Sequence, residues 1–101
     1  MSVATIKLLN PEYVTNFYFA KGSISDVARA LQDQYKVQGS MGIPDLEGES
    51  VAEEVFDLTN NPSRQDQREA LYGRGRSVSV GDIVNVDGVD YLCAPAGWNI
   101  L

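Results

Sequence analysis

The residues with the most chemical potential in this chain are six carboxylates between positions 45 and 57: Asp45, Glu47, Glu49, Glu53, Glu54 and Asp57, with no lysine or arginine among them. Carboxylates at this density can form an acid–base pair or a calcium loop, but their positions do not follow the one-three-five-twelve spacing of a calcium-binding loop. Two readings remain. The run is either a solvated acidic face or a row of negative charge that imitates a phosphate backbone or meets a basic patch on a partner. A second group is cationic: Arg64 and Arg68 lie upstream of "GRGR" at 73–76, which supplies Arg74 and Arg76. Guanidinium forks suit phosphate. They equally suit pairing with Asp66, Glu69 and the acidic half of the chain, and no phosphate-loop consensus surrounds them. Cys93 has no histidine to activate it, so a buried apolar role is the expectation. Trp98 at the end of a β unit is either a core residue or, beside the small residues Pro95, Ala96 and Gly97 and together with Tyr72, a candidate apolar anchor for a partner.

What is missing narrows the function. The chain has one cysteine and no histidine, which removes disulfide frameworks, zinc fingers and imidazole-based catalysis within one chain. The expectation is a non-enzyme with no catalytic residue, no metal site and no cofactor. Its 101 residues, 44% hydrophobic and 22% charged, suit one folded domain spanning 1–101. The net charge of −6 arises mainly from residues 1–60, where nine acids face four lysines or arginines. Such a surface repels nucleic acid, so direct nucleic-acid binding is disfavoured. No apolar run is long enough to span a membrane and no leader pattern opens the chain, which points to the cytoplasm.

These side chains need elements to position them. "ATIKLL" at 4–9 reads as a strand ended by "NPE", and 13–22 as a second strand or a partly buried connection. Ile24, Val27, Ala28, Leu31 and Tyr35 recur at spacings of three and four, which predicts a helix over 24–36. The glycine-rich 37–49 reads as a loop. "SVAE" at 50–53 is a capping-box pattern that starts a helix at Ser50, with Val51, Val55 and Leu58 as its buried stripe. Asn61-Pro62 starts a third helix, mostly polar. "RSVSV" alternates, placing Val78 and Val80 on one face; Gly81-Asp82 makes a turn or bulge; "IVNV" resumes the strand. Asp87-Gly88 is a hairpin signal. In that register Val84, Val86, Val89, Tyr91 and Cys93 share a face, and "WNIL" adds a last strand after "APAG". The fold class is therefore α+β: a small antiparallel C-terminal sheet, joined by the N-terminal strand, packed against two to three helices. Val27, Leu31, Val55, Leu58, Val84, Val86 and Tyr91 are the predicted core.

The stretch "ALYGRGRSVSVGDIVNVDGVDYLCAPAGW" resembles the C-terminal part of small uncharacterised proteins encoded by bacteriophages and plasmids. Arg76, Ser77, Val78, Ser79, Val80, Gly81, Asp82, Ile83 and Val84 carry the likeness, followed by Gly88, Tyr91, Cys93, Gly97 and Trp98. It covers residues 55–101 and implies a mobile-element origin without implying an activity. The resulting expectation is a non-catalytic accessory protein in the bacterial host cytoplasm that binds and modulates a host protein, through an acidic surface. The alternative is a small barrel-like nucleic-acid-associated module that uses Arg64, Arg68, Arg74 and Arg76.

Overall fold

The computed structural model describes residues 2–18, 23–72 and 76–101. Five strands, β1 (Ser2–Leu9), β2 (Tyr35–Ile43), β3 (Ile83–Val86), β4 (Val89–Ala94) and β5 (Gly97–Ile100), form one antiparallel sheet in the order β2-β1-β3-β4-β5. Among the described residues four helices accompany it: α1 (Val14–Tyr18), α2 (Ile24–Ala30), α3 (Glu49–Asn60) and α4 (Gln65–Tyr72). The architecture is α+β, as the pattern predicts, with helices on both faces of the sheet.

Strand alternation decides which helix goes where. Ala4, Ile6, Val84, Val86, Tyr91 and Cys93 project to one face and bury themselves against Val51, Ala52, Val55 and Leu58 of α3 and Leu71 of α4. Leu9, Ile83 and Leu92 project to the other and meet Phe17 of α1 and Ala28 of α2. The Asp-Gly hairpin forms as expected, with Asp87 at φ 50° and Gly88 at φ 93° joining β3 to β4 and Val84 opposite Tyr91.

Four local expectations are corrected. Residues 35–43 are a strand, since β1 offers an unpaired ladder on that side; a bulge at the Ile6/Lys7 step absorbs one residue of β2. The α2 helix consequently stops at Ala30, and after a 3₁₀ turn at Gln32–Gln34 Tyr35 pairs with Leu9. Residues 14–18 are helical, because Asn10 accepts from the Glu12 amide and Pro11 opens the turn. Finally, α3 begins at Glu49 with Gly48 (φ 58°) as its cap and no side-chain cap bond, so Ser50 lies inside the helix and the capping box does not form. A Cβ at Gly48 would sit 3.3 Å from the Tyr91 hydroxyl, which brings the start of α3 close over the sheet.

Within the predicted core, Val55, Leu58, Val84, Val86 and Tyr91 are buried. Val27 and Leu31 are only half-buried at the margin of the second cluster. Val89, expected on the inward face, is exposed at the hairpin end.

Candidate functional site: an acidic helix edge beside Trp98

The arginine-rich stretch is best understood through Asp82, a carboxylate with 0% exposure. Its Oδ1 accepts from the Leu9 amide at 2.8 Å and from Arg76 Nη2 at 2.7 Å; its Oδ2 accepts from the Ser79 amide at 2.8 Å and from Arg76 Nη1. Arg76 Nη2 also donates to the Leu9 carbonyl at 2.6 Å. A buried carboxylate demands such a set of donors. The loop 76–82 is thereby clamped to the end of β1. The neighbouring residues finish the work: Ser77 Oγ donates to the Thr59 carbonyl at the end of α3, and the Val78 amide donates to Thr59 Oγ1. Gly81, at φ 96°, forms a bulge in which its own amide donates to the Cys93 carbonyl while the Cys93 amide donates to the Asp82 backbone carbonyl. "RSVSVGD" is thus a structural latch. Val78 and Val80 do not share a face; Val78 enters the α3 core and Val80 the opposite one.

Arg64 is likewise occupied. Its Nη1 lies 2.6 Å from Glu54 Oε1 and 2.8 Å from Asp57 Oδ2. The bond to Glu54 first, and that to Asp57 second, hold its guanidinium protonated more firmly than usual. Arg64 and Arg76 therefore serve different carboxylates. Arg68 lies on α4, and Arg74 falls outside the described residues. Tyr72 ends α4, but its side chain is outside the description.

The acidic residues divide into three settings. Glu49, Glu53 and Asp57 recur every four residues along the solvent edge of α3. Glu54 and Asp57 hold Arg64. Asp45, at φ 64° in the turn after β2, and Glu47 gather with Asp87 of the hairpin around a hollow of about 700 Å³ that Ser2, Leu46 and Ser50 complete. Asp87 was not anticipated there; it arrives because the β3–β4 hairpin sits next to the start of β1. Its carboxyl is held below the usual carboxylate range, first by the Val3 amide and then by the Ser2 hydroxyl.

Trp98 stands on β5 next to this helix edge. Its Nε1 donates to Glu53 Oε1 at 2.6 Å, and its ring meets Phe56 edge-on with centroids 6.3 Å apart. Phe56, Ala94, Pro95, Gly97 and Trp98 line a shallow cleft of about 190 Å³ with Glu53 at its rim. The sequence pattern puts Phe56 beside the buried stripe of the helix and does not mark it as a site residue, although its place three residues after Glu53 puts both on one edge. Cys93 lies at the floor, 4% exposed. Burial, then Asp82 and Glu53, push its thiol up to about 12, so it is a packing group.

Another hollow, about 410 Å³ between α2 and the sheet, contains Lys7, Arg29, Tyr35 and Asp90. Their polar groups are already matched: Lys7 to Asp90, Arg29 to Asp26, and the Tyr35 hydroxyl to the Gly81 carbonyl. Among the described residues no cluster of three or more side chains could hold a metal ion, and no helix is long and apolar enough to cross a membrane. Comparison with protein-family models, curated proteins and solved structures gives no match.

Proposed function

We propose that this chain is a non-catalytic accessory protein of a bacteriophage or other mobile element, acting in the bacterial cytoplasm by occupying a basic surface on a host protein. The observation that carries the reading is the juxtaposition on one edge of α3. Solvated carboxylates at Glu49 and Glu53 adjoin an aromatic cleft built from Trp98 and Phe56. Charge at the rim steers a partner and fixes its orientation, while a partly buried tryptophan supplies the contact energy. The likeness of residues 55–101 to mobile-element proteins supplies the setting. The arginines favour this reading over a nucleic-acid module, since Arg64 and Arg76 are matched by carboxylates of the same chain.

The test is recovery of a host protein from bacterial lysate by the wild type and by a variant carrying Glu47→Lys, Glu49→Lys and Glu53→Lys. Glu54 is left in place because it holds Arg64. The wild type should retain a protein with a basic surface, and the folded variant should release it. Equal recovery by both, or none by the wild type, refutes the proposal.

A further inference from the structure

We infer that the partner engages this surface as an added β-strand along the outer edge of β5, with basic and aliphatic side chains together on the face it turns toward α3. The inference rests on the acidic-surface reading above and names the form of the partner. Its basis is the hydrogen-bond parity of the edge. In an antiparallel ladder both polar groups of a residue point to the same side, and successive residues alternate. The Leu101 amide bonds the Asp90 carbonyl, so Leu101 and, two residues back, Asn99 face β4. Trp98 and Ile100 therefore aim their N–H and C=O groups outward, and among the described residues no strand pairs there.

Edge strands are normally guarded by a bulge, a charge or a proline. The opposite edge, β2, has a bulge, two glycines and Lys36. The β5 sequence "GWNI" has no charge and no proline within it. Its Ile100 side chain is 62% exposed, and Val89 is exposed on the same face. The start of α3 lies over Tyr91, which pairs with Ile100, while Glu53 reaches Trp98. The helix packs over β1 and β3 and turns the edge that carries Glu49 and Glu53 toward β5, where Glu53 meets Trp98.

A strand laid on this edge meets the carboxylates and the Ile100 side chain on one face, the α3 side, because Trp98 and Ile100 share that face with Cys93 and Tyr91. Side chains of the added strand return to that face at every second position, so a lysine or arginine beside Trp98 answers Glu53 and an aliphatic side chain two positions away answers Ile100. A second copy of this chain fits poorly. Antiparallel pairing of two β5 strands about an axis through the sheet would face two α3 acidic edges toward each other, on chains that each carry −6.

The probe is a synthetic peptide in which lysine and isoleucine take turns at every second position with threonine between them, so that both types share one face, with a glutamate-for-lysine version as its control. Trp98 is the only tryptophan, so its emission reports on the site directly. The lysine peptide should bind saturably, weaken several-fold between about 50 and 200 mM salt, and slow amide exchange at Trp98 and Ile100. The glutamate peptide should not bind. Ile100→Pro removes only an outward N–H from the ladder, so the sheet keeps its own bonds; it should weaken binding at least about tenfold relative to Ile100→Ala, which keeps that N–H. The inference falls if the lysine peptide does not bind at millimolar concentration, if Trp98 and Ile100 exchange is unchanged on saturation, or if Ile100→Pro binds as well as Ile100→Ala. It falls also if sedimentation shows a dimer that protects these amides without peptide. Loss of a captured host protein on reversing Glu47, Glu49 and Glu53, combined with no difference between Ile100→Pro and Ile100→Ala, would sink strand addition and leave the acidic-surface reading standing.

Discussion

Asp82→Asn isolates the latch between the loop 76–82 and β1. The substitution keeps the shape and removes the charge, and neither orientation of the amide can repair the loss. One carboxylate oxygen serves the Leu9 amide and the other the Ser79 amide, and Arg76 donates to both. Whichever oxygen becomes NH₂ then faces donors. A buried backbone donor left unpaired costs about 1–3 kcal/mol, and breaking a buried ion pair about 3–5 kcal/mol. Arg76 is 37% exposed while Asp82 is 0% exposed, so water recovers part of the arginine's share, and a loss of about 2–4 kcal/mol is expected. For a chain of this size that lowers the melting temperature by roughly 10–30 °C. Urea unfolding followed by far-ultraviolet circular dichroism measures it, and a cycle with Arg76→Gln should return a coupling of about 1–3 kcal/mol. If Asp82→Asn unfolds within about 0.5 kcal/mol of the wild type, the carboxylate does not hold the loop to β1.

Gly81→Ala should cost about 1–3 kcal/mol, since φ is 96° and a Cβ there would lie 3.0 Å from Phe17 Cδ2 and 3.3 Å from Leu9 Cδ2; wild-type stability in thermal melts would contradict that geometry. Leu58→Ala should lose about 2–5 kcal/mol in urea and exceed Leu31→Ala, because Leu58 is buried and Leu31 half-buried; the reverse order would misplace the core. The Cys93 thiol, pushed up to about 12, should resist alkylation at pH 8 until the chain unfolds. The unfolded thiol ionises near about 8.5 while the folded one does not, so folding stability falls as pH rises from there toward 12, by at most about 1.4 kcal/mol per pH unit. Replacing Cys93 by Ala should remove the part of that slope between about pH 8.5 and 10, above which the Tyr35 hydroxyl, raised chiefly by its burial, still contributes; an unchanged profile below about pH 10 would show another group is responsible.

The elements that announced themselves in the sequence are those whose signals are local. The periodic stripe of α3 and the Asp87-Gly88 turn are decided within a few residues, and both stand where the pattern puts them. The strand β2 is different. Its glycines and absence of alternation describe a loop, and only β1, some thirty positions earlier, makes it a strand. The Arg76–Asp82 pair was hidden because "RSVSVGD" also fits an alternating strand. A lone aspartate inside the apolar run "SVGDIVNV" was the available clue, since a carboxylate placed there needs a cation. At the candidate site the acidic run was plain in the sequence. The cleft was not, because Phe56 and Trp98 meet only once α3 packs on the sheet.

The position of β1 has a bearing on how the chain reaches this state. Of the five strands β1 is synthesised earliest, and it pairs on one side with β2 and on the other with β3, where Ala4 meets Val86 and Lys7 meets Ile83. Everything between β1 and β3 must therefore be synthesised before this inner strand has both neighbours. Until then its Ala4, Ile6 and Leu8 face lacks the β3–β4 hairpin that shares its core. Closing so long a loop is slow relative to local folding. Nascent β1–β2 hairpins are consequently the species most exposed to misassociation, and chaperone demand should peak just before β3 and β4 emerge.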